Sequence, residues 1–250
     1  MRKLLSVFLL FAITAAWAQT AQPTSGLAWS GYVKSDLLYD SRQTESFREG
    51  HFLLYPSNAK TDQQGLDIND QPSFNILSIQ TRLNGKISGP DAFGAKTSGT
   101  IEGEFFGTSD ADLPGFRLRL AFLKLDWKKL SLLAGQTWHP LFVMEMFPAV
   151  VSFNTGAPFQ PFSRNPQVRL VYTAKKLKLI GVAASQRDFA SNGPAGVTSA
   201  YLRNSVLPNL HAQMQITVDN HLLGAGVDYK KITPRIVTTK NFKTDQTIAS

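Results

Sequence analysis

The chain has 250 residues and a formal charge of +8, from 26 lysine and arginine residues against 18 aspartate and glutamate residues. This length suits one large β domain or two ordinary domains. The mean hydropathy of −0.12 excludes a helical membrane protein, and the lack of cysteine excludes disulfides as a source of stability.

The first residues have the organisation of a secretory signal peptide. Arg2 and Lys3 form a positive n-region, followed by an apolar stretch that is too short to span about 30 Å of hydrocarbon. Ala16-Trp17-Ala18 then provides a cleavage site. We predict a signal peptide at 1–18, export by the general secretory route, and a short polar linker at 19–26.

From Leu27 the sequence alternates between apolar and polar residues, the period expected of β-strands. The first run places Leu27, Trp29, Val33, Leu37 and Tyr39 on one face, and Ser30, Lys34, Asp36 and Asp40 on the other. The second run, 74–87, alternates Leu77, Ile79, Leu83 and Ile87 with Ser78, Gln80, Arg82, Asn84 and Lys86. In the third run, 97–107, Glu102 and Glu104 lie opposite Ile101 and Phe105.

The later runs follow the same design. In the fourth, 116–127, both odd and even positions after Arg119 are apolar, so its inner face cannot be assigned. Arg117 and Arg119, two positions apart, fall on the same face of the run. Five more runs follow at 130–138, 168–173, 177–186, 210–218 and 222–229. Long connections alternate with short ones, and long polar loops are expected at 50–70 and 188–208.

Nine amphipathic runs of about 9–13 residues fit tilted transmembrane strands, and alternating loop length is typical of outer-membrane barrels. Unpaired backbone groups are not tolerated in lipid, so such a sheet must close on itself. Aromatic residues near run ends then form an interfacial girdle: Trp29, Tyr39, Trp127, Trp138, Tyr172 and Tyr229. A soluble periplasmic β-sandwich that binds a ligand has the same alternation. A closed, non-conducting barrel that acts as a surface receptor or adhesin also remains open.

Several stretches together resemble one family: "GYVKSDLLYDSRQ", "EGHFLLYPSNAK", "IQTRLNGKISGPDAFGAKTSG", "LAGQTWHPLF", "SFNTGAPFQPFSRNPQVRL" and "SQRDFA". They are similar to bacterial outer-membrane porins, most closely the DcaP-like family of the Bacteroidota type, over about residues 30–235. The resemblance implies a water-filled barrel in outer-membrane lipid, usually a homotrimer, that passes small polar and often anionic solutes. It also implies a pore-constricting loop, which by position is about 139–166.

The chain departs from this family in two ways. The linker at 19–26 is too short for an N-terminal coiled coil, and nine runs are an odd number for a bacterial barrel. Because a terminal aromatic strand is also missing, we expect residues 27–250 to be part of an all-β, antiparallel transmembrane barrel of about 16 strands, with about nine to ten strands present here.

Charged side chains on the inner face are the candidates for lining the pore, because a low-dielectric wall strengthens their field. The candidates are Lys34, Asp36, Arg82, Lys86, Glu102, Glu104, Arg117, Arg119, Glu145, Arg164 and Arg169. A basic row opposite an acidic row would orient solutes by charge. Alternatively, each residue only neutralises a neighbour across the strands.

The sequence predicts no enzyme, cofactor, metal site or nucleic-acid partner. His51, His139, His211 and His221 are scattered along the chain, and no H-E-x-x-H or G-x-S-x-G motif occurs. Glu102 and Glu104 lie about 7 Å apart on a strand and could form a glycosidase pair. A lone pair on an apolar-backed strand is more typical of a pore wall.

Overall fold

The computed structural model describes residues 25–147, 162–244 and 246–250, and the side chains of all of these except 52–54. The predicted signal peptide, nearly all of the linker and the centre of the predicted pore loop lie outside the described residues. The strands are β1 Gly26–Tyr32, β2 Asp36–Asp40, β3 Thr44–Phe47, β4 Phe52–Pro56, β5 Ser73–Leu77, β6 Thr81–Ser88, β7 Lys96–Phe105, β8 Phe116–Asp126, β9 Leu130–Trp138, β10 Arg164–Ala174, β11 Leu177–Ala184, β12 Asn192–Gly193, β13 Gly196–Val197, β14 Asn209–Val218, β15 His221–Tyr229, β16 Lys231–Ile232 and β17 Ile248–Ala249. A short helix, α1 Ala200–Arg203, precedes β14, and two 3₁₀ turns span Asp110–Asp112 and Met144–Met146.

Within the described ranges, nine strands form one antiparallel meander, which we call the main sheet. Its order is β1-β6-β7-β8-β9-β10-β11-β14-β15. Every predicted run contributes one strand to it, which confirms the all-β antiparallel prediction. Smaller two-stranded sheets pair β2 with β5, β3 with β4, β12 with β13, and β16 with β17.

The connections of the main sheet divide between its two ends. Residues 33–80, 106–115, 139–163 and 185–208 connect strands at one end, which we call the long-loop end. Turns at 89–95, 127–129, 175–176 and 219–220 connect strands at the other end. The predicted alternation of long and short connections is therefore present.

The two faces of the main sheet differ in chemistry, because side chains alternate along each strand. We call the face that carries Glu102 the inner face and the opposite one the outer face. On the outer face large apolar side chains stand exposed, including Trp29, Leu83, Ile101, Leu118, Leu123, Leu170, Met214, Leu223 and Val227. A soluble sandwich would bury this face against a second sheet, whereas here it is open.

A β-bulge explains why the fourth run has no consistent parity. Residues opposite each other in an antiparallel ladder share a face. Glu102 pairs with Leu120, while the next pair on the other side of the bulge joins Gly103 to Leu118. Arg119 is the extra residue, so the inner face takes odd-numbered residues before it and even-numbered residues after it. Lys124 consequently lies on the same face as Glu102.

Each of the first two predicted runs forms two strands instead of one, and the two interruptions lie side by side in the sheet. Tyr32 of β1 pairs with Arg82 of β6, and after a gap Asp36 of β2 pairs with Leu77 of β5. Beyond the gap, β2–β5 continue as a separate ribbon, which also contains the β3–β4 hairpin. The predicted polar loop at 50–70 is therefore partly structured.

The ribbon overturns the prediction that Leu77 and Ile79 face outward. Both are only 5% exposed and pack with Phe106, whereas Leu83 of the same run is 46% exposed. The change occurs at Gln80, whose φ of 66° places the backbone in the left-handed region. This turn directs the ribbon over the long-loop end, where its apolar side chains form a small core.

His51 makes the stability of this ribbon depend on pH. Its ring lies 4.8 Å from that of Phe106, and burial lowers its pKa from 6.5 to about 4. The unfolded chain takes up this proton near pH 6.5 and the folded ribbon only near pH 4. We therefore expect stability to fall by about 3 kcal/mol as the pH drops through this window.

The measurement is the urea midpoint of the wild type and of His51→Asn at pH 7 and pH 4.5. The variant lacks the imidazole, so its midpoint is expected to change less with pH. Other titrating groups are common to both proteins and cancel in the difference. Equal pH dependence of the two proteins would contradict the assignment.

Candidate functional site

The main charged site is a cluster around Glu104 at the long-loop end of the inner face. Glu104 lies between Arg82 of β6 and Arg117 of β8 in the strand register. Its side chain is 0% exposed. Its carboxylate accepts hydrogen bonds from Arg82 Nη2 at 3.0 Å, Arg117 Nη2 at 2.7 Å and Arg119 Nη1 at 2.6 Å. One buried anion thus holds guanidinium groups from both neighbouring strands.

Glu102 and Asp188 extend this cluster. Glu102 accepts a 2.6 Å hydrogen bond from Arg119 Nε and lies 3.9 Å from Arg82 Nε. Arg164 Nη1 approaches Glu104 Oε1 to 3.8 Å, and Arg164 Nε donates to Asp188 at 3.1 Å. We call the following set the arginine cluster: Arg82, Arg117, Arg119, Arg164, Glu102, Glu104 and Asp188.

The arginine cluster carries more cations than anions, with four guanidinium groups against three carboxylates. Such an arrangement attracts anions to the inner face, because the excess charge lies beside a wall of low dielectric. The cross-strand neutralisation considered from the sequence is also present, since Arg82 and Arg117 lie directly opposite Glu104. The two interpretations therefore describe the same side chains.

The other predicted candidates lie outside this cluster. Lys34 and Asp36 form an ion pair of 2.5 Å at the base of the ribbon. Lys86 is exposed on the inner face of β6, opposite Thr100. Arg169 donates to Gln167 Oε1 and to the carbonyl of Trp138.

Glu145 ties the segment after β9 to the inner face. It accepts a 2.8 Å hydrogen bond from Lys178 of β11, and this bond lowers the pKa of Glu145. The segment also packs near apolar side chains of the inner face, and it lines an open cavity of about 440 Å³ whose lining includes Phe142, Val171 and Ile180. An apolar inner patch here departs from the expectation that apolar rows face outward only.

Trp138 does not belong to an outward-facing girdle as predicted. Its ring lies under the guanidinium groups of Arg119 and Arg164, at 5.4 and 5.1 Å. It is the last residue of β9, where the chain turns inward, and its ring also contacts Phe142 at 4.6 Å. Cation–π contacts on the inner face thus replace the expected contact with a membrane interface.

The structure also corrects the view that the histidines are scattered. His139 and His211 lie with their ring centroids 5.2 Å apart, and both contact Asp228. Burial lowers the pKa of His139, while the nearby Asp228 carboxylate acts in the opposite direction. The sequence holds a signal for one pair: His211 and Asp228 are equally distant from the turn at 219–220, so a two-residue hairpin places them opposite each other.

Sequence reasoning also missed Asp188 and Lys178 as site residues. Asp188 contacts Arg164, and Lys178 contacts Glu145; in each pair the two residues are more than 20 positions apart in the chain. Together with His139 and Asp228, Asp188 lines a cavity of about 1430 Å³ at the long-loop end, which also includes Arg48, Arg117, Arg164, Arg187 and Lys230. Arg117 and Arg164 of the arginine cluster therefore border the same water-accessible space as His139 and Asp228.

Comparison with solved structures places this geometry in a known fold. The chain is similar to the outer membrane channel DcaP of Acinetobacter baumannii, with a TM-score of 0.60 and 20% identity over 92% of this chain and 58% of that one. It is also similar to a loop L8 deletion mutant of OmpT, an outer membrane protein of Vibrio cholerae, with a TM-score of 0.48 and 10% identity over 89% of this chain and 60% of that one. No protein-family model and no curated protein matches the sequence.

The likeness to DcaP shows the fold, and the antiparallel transmembrane β-barrel predicted from the sequence is confirmed as the fold class. The chain spans 58% of the length of that channel. Among the described residues, no helix is long and apolar enough to cross a membrane.

Proposed function

We propose that the chain forms the wall of an outer-membrane porin, through which small hydrophilic and mainly anionic solutes diffuse passively. The observation that carries this proposal is the contrast between the two faces of the main sheet. Exposed apolar side chains cover the outer face, while the arginine cluster and other polar groups occupy the inner face. This division suits lipid on one side and water on the other.

The finer parts of the proposal follow the family resemblance. They are a DcaP-like porin of the Bacteroidota type, a homotrimer, a cleaved signal peptide at 1–18 with export by the secretory route, and a pore-constricting loop at about 139–166. The ion pair between Glu145 and Lys178 supports the last of these, because it holds residues next to the loop's centre against the inner face. The proposal includes no catalytic activity.

A soluble β-sandwich is the less favoured alternative. It would bury the outer face, yet Leu170 is 47% and Leu223 is 63% exposed. Cell fractionation separates the two, since a soluble periplasmic protein is released without detergent. A non-conducting receptor or adhesin would stay in the membrane fraction and carry no current.

The direct test is the conductance of the protein, purified from outer membranes, in a planar lipid bilayer. We expect stepwise currents, and a reversal potential in a KCl gradient with the sign of an anion-preferring pore. Membrane-inserted protein without current steps would refute the porin proposal. A cation-preferring reversal potential would refute only its anionic part.

A charge reversal at Lys86 tests whether the inner face sets this preference. Lys86 is exposed on that face, so Lys86→Glu is expected to shift the reversal potential toward cation preference without loss of folding. The matched control is Lys175→Glu, at an exposed residue in the turn between β10 and β11. Equal shifts in the two variants would show that surface charge in general, and not the inner face, controls selectivity.

A further inference from the structure

Three side chains that play no part in the arginine cluster converge beside it. Asp228 Oδ2 lies 3.3 Å from His139 Nε2 and 3.2 Å from His211 Nδ1. One potential ligand atom from each residue lies within 4.8 Å of the others, the one such grouping of three found in the described part of the chain. We propose that His139, His211 and Asp228 form a binding site for a zinc ion.

The fold holds these three residues in place from different elements. His211 and Asp228 are directly opposite in the register of β14 and β15. His139 follows β9, and its backbone N–H donates to the carbonyl of Ser163 at 2.8 Å. Both histidines are buried, at 8% and 4% exposure. The donors are thus supplied by strands and a strand end, which define their positions better than a free loop.

The second nitrogen of each imidazole is already engaged, which directs the first toward Asp228. His139 Nδ1 accepts from the Leu141 N–H at 3.3 Å, leaving Nε2 to face the carboxylate. His211 Nε2 lies 3.4 Å from Gln213 Oε1, and Nδ1 faces the carboxylate. The Gln213 contact is of the kind that orients histidine ligands at metal sites, where the other ring nitrogen donates to an acceptor. At His139, zinc binding through Nε2 would require the ring proton to sit on Nδ1 instead.

A hydrogen-bonded network alone accounts poorly for this arrangement. Asp228 Oδ2 is also the acceptor for Asn209 Nδ2 at 3.0 Å, so three groups compete for one oxygen that has two lone pairs. A metal ion bound to both imidazoles and the carboxylate satisfies each group and leaves Asn209 as an outer donor.

The distances and donor types favour zinc. With bonds of about 2.0–2.1 Å, neighbouring ligand atoms of a tetrahedral site lie about 3.3–3.4 Å apart, close to the two distances from Asp228 Oδ2. Two imidazole nitrogens with one carboxylate oxygen suit zinc, whereas magnesium and calcium prefer oxygen ligands. Three protein ligands leave one position open. His139 and Asp228 border the large cavity, so water or a solute anion can reach that position.

The test is zinc binding to untagged, full-length protein that has been purified in detergent and stripped with a chelator. Isothermal titration with ZnCl₂ is expected to give one ion per chain. His139→Ala and Asp228→Asn are each expected to weaken binding by at least about 10–100-fold. The matched control is His221→Ala, on the same hairpin but beside the turn at 219–220, which should leave binding unchanged.

Two measurements keep the result interpretable. The urea midpoint shows whether each variant is folded, and Asp228→Asn retains the shape of the side chain if His139→Ala does not fold. Cobalt substitution reports the coordination number through its visible absorption, for which a four-coordinate spectrum is expected. The proposal is overturned if the wild type takes up no zinc, if folded Asp228→Asn binds as the wild type does, or if His221→Ala loses the ion.

Discussion

Replacing Glu104 by Ala is expected to lower the free energy of unfolding by about 3–5 kcal/mol, because it removes the shared partner of several buried guanidinium groups. The carboxylate is fully buried and contacts Arg82, Arg117 and Arg119. Without it, these cations repel one another and lose charge-assisted hydrogen bonds. Urea unfolding of protein refolded in phospholipid vesicles, followed by tryptophan fluorescence, measures the loss.

The matched control is Asp91→Asn, which breaks the exposed pair between Asp91 and Lys96. Its side chains are 56% and 81% exposed, so the expected change is less than about 1 kcal/mol. Adding Arg117→Met to Glu104→Ala removes one unpaired cation and should restore part of the stability. If Glu104→Ala costs no more than the control, the carboxylate does not organise the arginine cluster.

Placing an arginine at Met214 is expected to destabilise the protein in a bilayer by about 2–4 kcal/mol, because the side chain would enter hydrocarbon. Met214 lies in the middle of β14 on the outer face and is 45% exposed. The measurement is again urea unfolding in vesicles.

Gln213→Arg is the matched control for depth. Gln213 adjoins Met214 in β14 but lies on the inner face, where the expected cost is less than about 1 kcal/mol. The difference between their losses of unfolding free energy reports whether each face of the sheet contacts lipid or water. If both variants cost the same, the assignment of lipid to the outer face is wrong.

Strand content and most of the face assignments could be predicted because the side-chain period of a strand is 2. In β7 and β14 this parity assigned Glu102, Glu104, His211 and Gln213 to one face without knowledge of the fold. Within the arginine cluster, Arg119 lies at the bulge and Arg164 lies out of phase with the inner-face residues of β10, so this argument groups only Arg82, Glu102 and Glu104. Short turns then brought them together across neighbouring strands.

The failures occur where the backbone departs from that period. The extra residue at Arg119 changed the parity of β8, and the left-handed backbone at Gln80 turned Leu77 and Ile79 from the outer face into a core. The turn at Gln80 has no glycine or proline beside it to signal it, and the bulge has only Gly103 on the facing strand. Trp138 was misplaced because its direction depends on a strand end that turns inward.

The contact of His139 with His211 and Asp228 depends on strand pairings that no local pattern contains. His211 and Asp228 could be matched by counting outward from a turn, but His139 reaches them only through the order of β9, β10, β11 and β14 in the main sheet. Its contact is a property of the tertiary fold. Asp188 reaches Arg164 in the same way, from the loop that follows β11.

The bulge at Arg119 has a consequence for the two ends of the wall. Before Arg119, the odd-numbered residues of β8 lie on the inner face, including Arg117. After it, the even-numbered residues do so, including Lys124 and Asp126. Removing Arg119 would take its contacts with Glu102 and Glu104 out of the arginine cluster and would turn Lys124 and Asp126 toward the outer face. The extra residue thus lets charged side chains at both ends of β8 lie on the same face of the sheet.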